Sequence, residues 1–121
     1  MKTLSLVPML SVADVERSVA FYSNLGFEVA NSFACEGETK ASWAWLQSGD
    51  AALMLSARSD LAATNHTVLF YFYAENVEAA HSSLVEAGLN PGAIATPFYA
   101  PQGEFELVDP DGYIVMVSHF D

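Results

Sequence analysis

Glu104 and Glu106 stand two apart in a run of strand formers, so a sheet would turn both carboxylates to one face, the arrangement that paired acid–base catalysis uses. In a chain with 15 Asp+Glu, the simpler reading of the pair is a solvated strand face. Glu104 and His119 are the weak candidates for catalysis. His66 precedes a strand and His81 falls within a helix, and all three imidazoles have a plain reading as surface or partly packed side chains. Cys35 sits beside Glu36 and Glu38, with no adjacent cation to favour its thiolate. As the one cysteine, it can form neither an intramolecular disulfide nor a Cys-based zinc site, which fits a reducing compartment. No Gly-rich phosphate loop occurs, and no cofactor is expected.

The elements that would position these groups come from an internal repeat. Asp14-Val15-Glu16-Arg17-Ser18 recurs as Asn76-Val77-Glu78-Ala79-Ala80, and Leu25-Gly26-Phe27 as Ala87-Gly88-Leu89, each pair 62 positions apart. Asp14 and Asn76 can accept from the free N–H groups of a helix start, while Gly26 and Gly88 supply the left-handed residue that ends it. Val15, Ser18, Tyr22 and Leu25 form one helical stripe, as do Val77, Ala80, Leu84 and Ala87.

Strands are predicted over residues 3–10 and 67–74 ahead of the helices, and over 42–47, 52–57, 104–108 and 113–119 behind them. Gly49-Asp50 and Asp109-Pro110-Asp111-Gly112 join the later runs in pairs. The stretch 93–98 is weakened by Pro91, Gly92 and Pro97 and reads as loop. The fold class is therefore α+β, two βαβββ repeats over about residues 1–60 and 63–121 forming a single domain, the halves too small to bury their sheets separately and so packed together within one chain or across a dimer that exchanges them. Unpaired strand edges favour a homodimer.

The run from Val12 to Tyr22, Leu25-Gly26-Phe27 and Asp109-Pro110-Asp111-Gly112-Tyr113 together resemble the vicinal oxygen chelate superfamily. That group comprises glyoxalases, bleomycin-resistance proteins and ring-cleaving dioxygenases, and the resemblance is nearest to its metal-free bleomycin-resistance-like branch. It spans nearly the whole chain. It implies a curved mixed sheet forming a cup, with metal ligands of the metal-dependent members at four equivalent points. Here those points hold Val7, Met54, Leu69 and Met116, paired by the same 62-residue offset. Hard and borderline divalent ions take His nitrogen or carboxylate oxygen, and a thioether suits only soft ions, so no metal is expected there. A one-residue slip would offer Leu6, Pro8, Leu53, Leu55, Val115 and Val117, none of which ligates.

Strand alternation gathers Ser5, Val7, Met9, Ala52, Met54, Ser56, Leu69, Tyr71, Tyr73, Ile114, Met116 and Ser118 on one inner face. Trp43 and Trp45 share a face on the neighbouring strand, and the offset pairs them with Phe105 and Leu107. Such a surface suits a mostly apolar small molecule, or else simply fills a core. Phe98 and Tyr99 lie on an irregular loop able to close over it. The expected ligand-binding set is Val7, Met9, Trp43, Trp45, Met54, Leu69, Tyr71, Phe98, Tyr99, Phe105 and Met116.

The formal net charge of -11, with only 4 Lys+Arg, argues against nucleic acid and anionic lipid and favours a neutral or cationic partner. With 52% hydrophobic residues and 12% aromatics, the chain can bury a core. Pro8 and Ser5 interrupt the apolar start after Lys2, so a first strand is expected rather than a secretory leader. The apolar run 68–74 is far short of the ~20 residues that span a bilayer. A cytoplasmic protein, without membrane partner, is expected.

Three functions stay open: sequestration of an aromatic or cationic small molecule without metal, a metal-dependent lyase, isomerase or dioxygenase with displaced active-site residues, and a non-catalytic partner domain.

Overall fold

In the computed structural model, which describes residues 1–58, 60 and 65–120, the chain divides into two units, Met1–Thr64 and Asn65–Asp121. The expected junction near residues 60–63 falls largely outside the described residues.

In the first unit, β1 (Met9–Val12) leads into α1 (Val15–Ser23), followed by β2 (Glu28–Phe33), β3 (Trp43–Ser48) and β4 (Ala51–Ala57). The strands form one sheet in the order β1-β4-β3-β2, with β1 parallel to β4 and the other pairs antiparallel. Asp14 starts α1 by accepting from the Arg17 backbone N–H at 3.2 Å. The helix ends as the chain turns through Gly26 at φ +92°, and the Phe27 N–H returns to the Tyr22 carbonyl. The buried stripe of α1, with Val15, Phe21 and Tyr22, covers the sheet face that presents Leu10, Val12, Ala44, Leu46, Leu53 and Leu55.

The second unit repeats the plan with a bridge in place of one strand: β5 (Leu69–Ala74), α2 (Val77–Glu86), β6 (Glu104–Val108) and β7 (Ile114–His119), with sheet order β5-β7-β6 and β5 parallel to β7. Asn76 Oδ1 accepts from the Ala79 N–H at 2.9 Å, and the chain leaves α2 through Gly88. Val77 and Leu84 pack with Phe105, Leu107, Val115 and Val117 as the buried side. The fold class is α+β, as expected, and the stretch 93–98 is a loop that touches the sheet through one bridge, Ala95 to Glu104. No helix among the described residues is long and apolar enough to cross a membrane.

Two strands depart from the sequence expectation by more than two residues. Strand pairing begins at Met9 and not at residue 3: Pro8 has no N–H to give, although its carbonyl accepts from Met54 at 2.8 Å, and Leu4 and Leu6 are exposed. The sequence pattern assigns no range to β2, the second strand of the first unit. It closes the edge of its sheet, is exposed throughout and is kinked by a register shift between Val29 and Asn31, so no burial alternation marks it.

Because the Asn76 side chain satisfies an orphan N–H at the start of α2, Asn76→Ala should lower unfolding stability by about 1 kcal/mol, and Asn76→Asp should retain it. Urea denaturation that ranks Ala equal to the parent would contradict this capping role.

Candidate functional site

Each sheet carries its helix on one face only, so the residues alternating with the core form a second face. In the first unit the register aligns Met9, Met54, Trp45 and Asn31 in one row, and Ser11, Ser56, Trp43 and Phe33 in the next. Met9 and Phe33 are exposed, while Trp43, Trp45 and Met54 are half-buried. The Trp45 indole N–H donates to Gln47 Oε1 at 2.7 Å, and the Gln47 amide donates on to the Gly49 carbonyl at 2.9 Å. This relay locks the indole's polar edge and leaves its ring as an apolar surface.

In the second unit the corresponding rows are Tyr73, Ser118 and Glu104; Tyr71, Met116 and Glu106; and Leu69, Ile114 and Val108. Tyr71 and Tyr73 lie with ring centroids 6.1 Å apart. The loop after residue 95 adds Tyr99, whose hydroxyl makes a long 3.4 Å contact to Glu104 Oε2, and Phe98, 95% exposed, edge-on to the Tyr99 ring.

Phe105 belongs to the core and not to the open face. The 62-residue offset equates Phe105 and Leu107 with Trp43 and Trp45, but the strand register places both on the opposite, helix-covered face, where Phe105 meets the His81 ring edge-on. The cause is hairpin length. Four residues lie between the paired Gln47 and Ala52, and five between the equivalent Val108 and Ile114, so β6 is displaced by one position relative to β3. The true counterparts of Trp43 and Trp45 are Glu104 and Glu106.

Val7 is half-buried ahead of β1, so no register assigns it to a face. Glu104 and Glu106 do share a face, yet Glu104 is 5% exposed and is not the solvated side chain its acidic surroundings suggested. His119 alternates with Ser118 on β7 and stands on the other face, so the two weak catalytic candidates are not brought together. His66 stacks on Tyr113 at 3.6 Å and bonds the Asp111 carbonyl, and His81 bonds the Gly92 carbonyl. The exposed Cys35 lines a cavity of about 350 Å³ with Asp14, Glu38 and Lys40, whose amine reaches Asp14 at 3.6 Å. Asn31, Phe33 and Gln47 are further open-face residues that sequence reasoning missed; only the pairing of β2 with β3 places the first two, across from Trp45 and Trp43.

The four positions that the resemblance equates with metal ligands carry two thioethers and two aliphatic chains, Val7, Met54, Leu69 and Met116, and these do not fit a hard divalent ion. Among the described residues, no three His, Cys, Asp or Glu side chains gather to share one.

The Tyr99 phenol is held above its usual range, chiefly by the Glu104 carboxylate charge, then by partial burial and the Tyr71 phenol. A phenolate beside a carboxylate is disfavoured, so Tyr99 should ionise at higher pH than an ordinary tyrosine, and Glu104→Gln should reverse most of that shift. Ultraviolet phenolate titration, with Tyr99→Phe identifying the signal, reads this directly; an unchanged titration in Glu104→Gln would remove Glu104 as the cause.

The architecture has solved counterparts. A bleomycin resistance determinant encoded on the transposon Tn5 is 21% identical, with 98% of this chain and 99% of that one covered at a TM-score of 0.78. A bleomycin-binding protein complexed with bleomycin is 21% identical, with 98% and 100% covered at 0.77. TnmS3, an antibiotic binding protein from Streptomyces sp. CB03234, is 18% identical over 100% of both chains at 0.76. No curated protein sequence matches this chain. The family model of the Glyoxalase/Bleomycin resistance protein/Dioxygenase superfamily matches residues 6–117, and with that span of sequence carrying the repeat, the caps and both sheets, the chain belongs to this superfamily.

Proposed function

We propose that this protein binds an aromatic or cationic small molecule on the helix-free sheet faces and holds it without metal and without chemical change. The observation that carries the reading is the composition of those faces: Trp43, Trp45, Met54 and Met9 in one unit, Tyr71, Tyr73 and Met116 in the other, large apolar or aromatic side chains that the helices leave uncovered. Aromatic and thioether surfaces of this kind take planar apolar ligands, with a few polar groups fixing orientation. Solved proteins of the same fold are described as binding bleomycin or another antibiotic, which supports a ligand of that general class. The unfitting donor set at Val7, Met54, Leu69 and Met116 supports capture over metal-assisted turnover. A homodimer belongs to the same proposal, because β1 and β2 end their sheet with edges that a second copy can cover. Light scattering that finds only monomer at micromolar concentration would remove that part.

Titration of tryptophan fluorescence with bleomycin and with planar aromatic amines and alcohols tests the reading. Saturable binding is expected, weakened roughly tenfold, or about 1.4 kcal/mol, by Trp45→Ala, and unchanged by a chelator. Absence of saturable binding by every probe would sink the proposal. About one metal per chain by elemental analysis, with a chelator lowering the melting temperature, would instead favour a lyase, isomerase or dioxygenase.

A further inference from the structure

Glu104 is held in place more firmly than a surface carboxylate needs to be. Its backbone N–H and carbonyl both bond to Ala95, each at 2.9 Å, and it follows Gly103, whose φ is +102° and where an added Cβ would lie 2.9 Å from Ile94 Cγ2. A side chain there would be strained at that φ and would press on Ile94. The carboxylate stands on the helix-free face in the row of Ser118 and Tyr73. Oε2 meets the Tyr99 hydroxyl at 3.4 Å, and Oε1 is buried with no hydrogen-bond partner among the described residues.

A desolvated carboxylate oxygen is costly unless a donor or cation meets it. Residues 65–121 contain eight Asp and Glu and neither Lys nor Arg, so this unit has no permanent cation of its own. His66 and His81 are engaged by the Asp111 and Gly92 carbonyls, and His119 lies on the opposite face. Three tyrosines share this side of the unit: Tyr99 meets the carboxylate through its hydroxyl, Tyr71 interacts with Tyr99, and Tyr73 lies across Ser118 in the same row; aromatic rings attract a cation through their π faces.

We propose that Glu104 Oε1 anchors a cationic N–H donor, an ammonium or guanidinium group of the bound small molecule, with the tyrosines as its aromatic walls. The inference rests on the small-molecule reading above and specifies which group of the ligand is recognised and by which atom. A charged N–H donor supplies the hydrogen bond Oε1 lacks and the charge the unit lacks, whereas a neutral hydroxyl supplies only the first.

Calorimetric titration with naphthylmethylammonium and with its neutral analogue naphthylmethanol separates the possibilities. The parent protein should bind the ammonium at least about tenfold more tightly, and Glu104→Gln should erase that preference while leaving affinity for the alcohol within about twofold. Glu106→Gln, an exposed carboxylate of the same strand, should retain the preference. In the unsubstituted protein, the Glu104 carboxyl carbon resonance should shift on adding the ammonium and not the alcohol, a readout independent of how any variant folds. Equal binding of the two probes, a preference that survives in Glu104→Gln or vanishes in Glu106→Gln, or a silent Glu104 resonance would overturn the anchor and leave the small-molecule reading standing. Binding of neither probe, together with failure of the wider aromatic series, would overturn both.

Discussion

The parallel ladder between the first and last strands of each unit is the constraint from which the rest follows. Leu10 lies beside Leu55 in one unit and Phe72 beside Val117 in the other, with no hairpin able to join strands that run the same way. The chain must cross back between them, and α1 and α2 begin within three residues of β1 and β5 to start that crossing. The helix covers one sheet face and not the other. Every side chain that alternates with the core is thereby left available, and the identity of those residues decides what the protein can bind.

The two units obey this plan equally and still differ in chemistry, because one extra residue in a hairpin inverts a strand's faces. The Asp109 carboxylate organises the longer turn, accepting from the Asp111 and Tyr113 N–H groups at 2.9 and 2.8 Å. Gly112 completes it at φ +89°. The displacement moves Phe105 and Leu107 into the core and turns Glu104 and Glu106 outward. A repeat that began with equivalent faces therefore presents two indoles in one unit and two carboxylates in the other.

Features governed by local chemistry were legible in the sequence. The caps Asp14 and Asn76, the turns at Gly26 and Gly88, the repeat and the ranges of β3, β4, β6 and β7 depend on neighbours a few residues away. The start of β1 was set by which residue could pair across the sheet, and Pro8 decided it. The edge strand β2 lacks the alternation that burial imposes, so its residues carried no mark. The face of Phe105 depended on a count of turn residues that a constant offset cannot register. The burial of Glu104 was equally hidden, since nothing in an acidic strand distinguishes a desolvated carboxylate from a solvated one.

That distinction governs how charge acts in this molecule. The net charge of -11 produces a field that salt screens beyond ~8 Å, so it concentrates cations broadly and discriminates poorly among them. Exposed pairs such as Lys40 with Asp14 and Arg58 with Asp60 lie in residues 1–64 and add little, because water competes for both partners. Glu106 shares a strand with Glu104 but faces solvent. Glu104 alone among the site carboxylates combines burial, a fixed backbone and an oxygen without a donor. In a lower local dielectric its interaction with a charge that reaches it is stronger than that of a surface acid. The excess of acidic residues over the rest of the chain is thus a diffuse field, whereas Glu104 is a single desolvated oxygen at a fixed place on the helix-free face.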